Sequence, residues 1–128
     1  MHYTDNPMTY IGDAVNTLKM ARIKATPISP RPGYTIHLLR EMDLLVDYLS
    51  ELTQHVGTLT AMCIDSAHRL EKVAVDEIDD DRLAEHLAEV GHTARQARLI
   101  IRHAELTFRA AREHSGAAVK RGRCFNRD

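Results

Sequence analysis

The chain has 128 residues, 44% of them hydrophobic and 27% charged, a balance that suits a single globular domain rather than a disordered chain. Two Phe, four Tyr, no Trp, six Gly and four Pro leave it short of the aromatic residues and turn formers that a β-sandwich or barrel requires. The formal net charge of −1 selects no partner in bulk, but it hides a segregation: residues 1–40 carry +3, residues 41–90 carry −10 and residues 91–128 carry +6.

The first predicted helix, about 7–25, opens on Asn6-Pro7, a good N-cap followed by a proline at the first helical position. Met8, Ile11, Val15 and Leu18, joined by Ala14, Ala21 and Ala25, give it one apolar face. Three prolines between Pro27 and Pro32 forbid a helix in the segment Thr26–Gly33 and predict a stiff, extended connector.

The second helix, about 35–75, carries the strongest pattern. Leu38, Met42, Leu45, Leu49, Leu52, Val56, Leu59, Cys63, Ser66, Leu70 and Val73 alternate at steps of four and three, an a/d heptad seam over five repeats. Leu39, Val46, Ala67 and Ala74 widen the stripe at the neighbouring e positions, which implies contact with more than one helix. Cys63, at an a position, reads as a small buried hydrophobe.

Asp76-Glu77-Ile78-Asp79-Asp80-Asp81 then supplies N-cap oxygens and negative charge to a third helix, about 80–115. Its seam is Leu83, Leu87, Val90, Ala94, Ala97, Ile101, Ala104, Phe108 and Ala111, with alanines that permit close backbone approach. Ser115-Gly116 reads as its end, and residues 117–128 as a flexible basic tail after a single helical domain over 1–116. Two matched heptad helices joined by a short connection predict an antiparallel hairpin pivoting near residues 77–78. The expected fold class is therefore all-α: a long coiled-coil-like hairpin, a shorter N-terminal helix packed on it as a three-helix bundle, and dimerisation into a larger bundle to cover the remaining apolar surface.

Eight histidines invite a test for metal. Asp65 with His68, and Glu89 with His92, have the carboxylate-x-x-His spacing of bundle metal sites, but their register points them away from the seam. His92, His103 and His114 are too far apart to share an ion, and the acidic turn lacks the spacing of a calcium loop. No phosphate-loop, dinucleotide, nucleophile-elbow, C-x-x-C or H-E-x-x-H motif is present, so neither enzyme activity nor a cofactor is expected.

The candidate site is an arginine stripe on the third helix, Arg95, Arg98, Arg102, Arg109 and Arg112, extended by Lys120, Arg121 and Arg123. Arg109 and Arg112 come level with Asp43 and Asp47, so pairing is expected there. Arg95, Arg98 and Arg102 face the stretch Leu52–Ile64, which has no acidic residue, and are left without a partner on the second helix. Lys19, Arg22 and Lys24 of the first helix could join them in a basic surface for phosphate or an acidic protein.

Motif poverty and unfilled apolar surface make a non-catalytic helical interaction protein, an adaptor or small regulatory factor acting as a homodimer, the leading functional expectation. A nucleic-acid-binding accessory protein using the arginine stripe is the alternative, and a metal-binding bundle the second alternative. No run approaches the roughly 18–20 apolar residues of a membrane span. Met1-His2-Tyr3-Thr4-Asp5 has no secretory character, so a cytoplasmic setting with Cys63 and Cys124 as thiols is expected.

Overall fold

The structure, a computed structural model, describes residues 6–125. The first five residues, which carry the reading of a missing secretory signal, and residues 126–128 of the expected tail lie outside the described residues. The fold is all-α, with three α-helices and no strand among the described residues. The chain divides into two compact units, Met1–Pro30 and Arg31–Asp128.

In the first unit α1 spans Pro7–Lys24. The side chain of Asn6, on extended backbone, accepts the Met8 N–H at 3.0 Å, and Pro7 takes the position where no N–H is needed. Ala25 leaves the helix two residues before Pro27, whose ring disfavours helical backbone at Thr26.

The second unit is a hairpin of α2, Thr35–Val73, and α3, Asp81–Phe125. Gly33, at φ 83°, lets the chain turn into α2, and the Arg31 guanidinium lies 5.3 Å from the centre of the Tyr34 ring. Between the helices Ala74–Ile78 widens into one π-helical turn. Asp79 then takes the left-handed conformation, φ 56°, which a short polar side chain tolerates better than most. Asp80 closes the turn at both ends: its N–H donates to the Ala74 carbonyl and its Oδ1 accepts the Leu83 N–H, each at 3.0 Å. The acidic run thus caps α3 as its composition predicts.

Both long helices pass unbroken through Gly57 and Gly91. Gly91 faces Ala67, Gly57 faces Ile101 and Glu105, Asp43 meets Ser115, and Gly122 lies against Ile36 and Leu39. The hairpin is antiparallel with its pivot at Asp79, within about two residues of the expected place.

The line along which the helices meet differs from the expected one. On α2 the side chains turned inward are Leu39, Val46, Thr53, Thr60, Ala67 and Ala74, alternating with Asp43, Ser50, Gly57, Ile64 and Glu71. This is the predicted heptad line displaced by one residue throughout. Its fully buried members are small, namely Ser50, Gly57, Ala67 and Ala74. From α3 come Ala84, Gly91, Ser115 and Val119. A Cβ built on Gly57 would stand 2.5 Å from Glu105 Oε1, the movable end of that side chain, and 3.4 Å from the Ile101 methyl Cγ2, so a leucine here would have to displace Glu105 and crowd Ile101. Large residues of the expected line are turned aside: Leu45, Val56 and Leu70 are 50%, 41% and 54% exposed. Cys63, expected inside, is exposed for the same reason.

A second difference concerns the end of α3. The helix does not fade at Ser115-Gly116 but continues to Phe125, so most of the expected flexible tail is helical. Ser115 is buried, its hydroxyl donating to Asp43 Oδ1 at 2.5 Å, and Val119 is buried one turn later. Gly122 then allows Ile36 and Leu39 to close over the helix. What reads as a stop signal is a small-residue patch that admits the start of α2.

Two glycine substitutions separate close approach from mere flexibility. At Gly91 a Cβ meets nothing nearer than Ala67 Cβ at 3.8 Å, so Gly91→Ala gains about 1 kcal/mol of helix propensity. Gly57→Leu instead overfills the seam beside Ile101 and costs about 1–3 kcal/mol. Thermal unfolding of the two variants should move in opposite directions.

Candidate functional site

With the small-residue seam in the middle, the hairpin presents two unlike flanks. On one flank lie α2 residues that precede a seam residue by one, such as Leu45, Val56, Leu59 and Leu70. The α3 residues of this flank are Leu83, Val90, Ala97, Ala104 and Ala111, of which Leu83, Val90 and Ala97 are exposed. A ridge of leucine and valine therefore runs beside a lower ledge that is mostly alanine. A ridge and ledge of this kind has the shape a further helix fits.

On the other flank lie residues that follow a seam residue by one, and there the arginines gather. Arg95, Arg98 and Arg102, with Leu99 and Ile64, line an open groove of about 530 Å³. Arg98 and Arg102 also border the neighbouring hollow over Gly57 and Thr58, which Glu105 closes on the open-end side. Among the described residues none of these three arginines forms an ion pair. Charge explains this: α2 has no carboxylate between Glu51 and Asp65, and α3 has none between Glu89 and Glu105. The register lays these two acid-free stretches side by side.

The remaining residues of the stripe separate. Arg112 pairs with Asp47 at 2.8 Å, as the register predicts, and its carbonyl oxygen lies 3.1 Å from the Ser115 hydroxyl oxygen. Arg109 forms no ion pair among the described residues with either expected acid. Lys120, Arg121 and Arg123 are exposed on the last turns of α3, roughly 27 Å along the axis from Arg102 to Lys120. They do not share the groove.

Two functional-looking features differ from the expectation, which set Asp43 opposite Arg109 and Arg112 and gave Glu105 no contact with α2. Asp43, half-buried in the seam, belongs to the Ser115 contact, and the carboxylate of Glu105 stands over Gly57. A polar residue recurring at the seven-residue interval of the small-residue line is the signal that could have found them. The histidine pairs behave as their register implies. Asp65, His68, Glu89 and His92 are all exposed, Asp65 pairs with Arg69 at 2.9 Å, and His92 lies 3.4 Å from Gln96. Among the described residues no three His, Cys, Asp or Glu side chains are grouped to hold a metal, and no helix is long and apolar enough to cross a membrane.

The Asp43–Ser115 contact ties the last turns of α3 to the first turns of α2. Ser115→Ala removes the hydroxyl and leaves a half-buried carboxylate short of a donor, a loss of about 1–3 kcal/mol. Amide hydrogen exchange should quicken most over residues 115–123, while protection around the turn at residues 74–84 stays unchanged.

No family model, no curated protein and no solved structure matches this chain.

Proposed function

We propose that the protein is a non-catalytic helical interaction module that pairs with a second copy of itself through the apolar flank of α2. The observation that carries this reading is the displaced heptad. An a/d line of five repeats is a pattern suited to another α-helix, and the α2–α3 contact leaves Leu45, Val56, Leu59 and Leu70 of that line exposed while Leu38, Leu49, Leu52 and Val73 are half-buried. Two hairpins joined along this flank make a four-helix bundle, which covers both leucine ridges with the alanine ledges of the partner.

Charge supports a second copy in antiparallel orientation. Residues 65–89, around the turn, hold nine carboxylates against three cations, so turn-to-turn stacking would bring like charges together. Antiparallel stacking instead sets each acidic turn beside the basic last turns of the other α3, where Lys120, Arg121 and Arg123 lie. Free thiols at Cys63 and Cys124 accord with a reducing compartment such as the cytoplasm.

Sedimentation equilibrium on the full chain at tens of micromolar tests the proposal. Wild type should run as a dimer. Leu45→Glu combined with Val56→Glu alters side chains that are already substantially exposed, so it should give a monomer with helicity retained. A wild-type monomer at this concentration, or a double variant that still dimerises, would overturn the reading.

A further inference from the structure

The belt of positive charge at mid-length serves neither the hairpin nor the proposed dimer. Arg95, Arg98 and Arg102 lie on the flank opposite the apolar ridge. They also lie near the middle of α3, which runs from residue 81 to residue 125. In an antiparallel pair the middle of one copy meets the middle of the other, so the acidic turn cannot reach these arginines. Within the chain, the nearest acids on α2 are Glu51 and Asp65, at either end of the uncharged stretch they face. Three guanidinium groups within about two helical turns therefore stand with Glu105 as the one carboxylate bordering them, and among the described residues none of the three forms an ion pair.

From this arrangement we infer that the groove lined by Ile64, Arg95, Arg98, Leu99 and Arg102 binds an anion made of linked phosphoryl groups. Guanidinium forks match phosphoryl oxygens two at a time, and they are less strongly hydrated than lysine ammonium groups, so they bind such oxygens without a deep pocket. From Arg95 to Arg102 the helix rises about 10.5 Å, which sets a length for the ligand rather than a single point of charge. Glu105, standing over Gly57, repels an anion at one end and so confines it to the Ile64 side of the groove. Leu99, 73% exposed, and Ile64 are the apolar members of this open groove, so the three guanidinium groups supply its polar contacts.

The same arginines could contact a phosphodiester backbone, but the groove is lined by no aromatic side chain on which a base would stack. The confined belt also differs from the extended basic track that a nucleic acid follows, because Arg112 is already paired and Glu105 interrupts the line. A short phosphate chain fits what is present.

Titration calorimetry of the full chain with inorganic tripolyphosphate, at fixed ionic strength, is the test. The result expected is saturable binding of one anion per chain. Arg95→Gln, Arg98→Gln or Arg102→Gln alone should weaken it about tenfold, and the three together should abolish it. The triple lysine variant should retain part of the affinity, and Arg82→Gln, which lies outside the groove, should leave it unchanged. Circular dichroism of each variant confirms that the hairpin remains folded. Absence of saturable heat, or equal weakening by Arg82→Gln, would overturn the inference. So would binding of a twelve-nucleotide thymidine strand by a chain that fails to bind tripolyphosphate. None of these outcomes depends on whether the chain dimerises.

Discussion

The close approach of α2 and α3 is the constraint from which the other features follow. Where Gly57 passes Ile101 and Glu105 a leucine would crowd both side chains, and nearer the turn Gly91 and Ala67 meet at ordinary van der Waals distance. Helices that meet through glycine, alanine and serine must rotate so that those residues face inward. A rotation of one residue position moves every member of a heptad line by about 100° around the axis. The leucines of α2 are consequently held beside the seam, where α3 covers them only in part.

That rotation also distributes the chemistry. Residues before the seam are mostly apolar, while those after it mix polar, acidic and apolar side chains with the arginines gathered at mid-length. The interior is thin: its buried apolar residues are Ala67, Ala74, Ala84 and Val119, and among the described residues no large side chain is fully enclosed. Half-burial of each exposed leucine or valine on the ridge would add roughly 1 kcal/mol, about half the value for full burial of such a side chain. Several such residues in line make the ridge an unused source of stability in the hairpin. Polar contacts toward the open end, Asp43 with Ser115 and Asp47 with Arg112, fasten the helices beside the packing of Val119 and Gly122.

Much of this was legible in the sequence. Helix starts at Asn6-Pro7 and Asp80, the Pro-rich break, the antiparallel register and the Arg112–Asp47 pair follow from residue type and spacing alone. The face used was not legible, because a heptad of leucines reads as the seam whether its partner is in the same chain or another. The alternative was present as Leu39, Val46, Ala67 and Ala74 one position along, but size gave it the lesser weight. Ser115-Gly116 misled for a related reason: small polar residues end helices in isolation, yet here they admit a neighbouring helix and α3 continues to Phe125. The arginine groove was half legible. The missing counter-charge could be counted, but the hollow over Gly57 depends on the rotation.

The rotation itself can be measured by disulfide trapping with Cys63 and Cys124 replaced by serine. An ideal Cβ on Gly91 lies 3.8 Å from Ala67 Cβ, within the span a disulfide bridges. Ala67→Cys with Gly91→Cys should oxidise rapidly to an intrachain disulfide. Ser66→Cys with Val90→Cys, the pair that would meet if the leucine line formed the seam, should not. The opposite outcome, trapping of residues 66 and 90 but not of 67 and 91, would contradict the account.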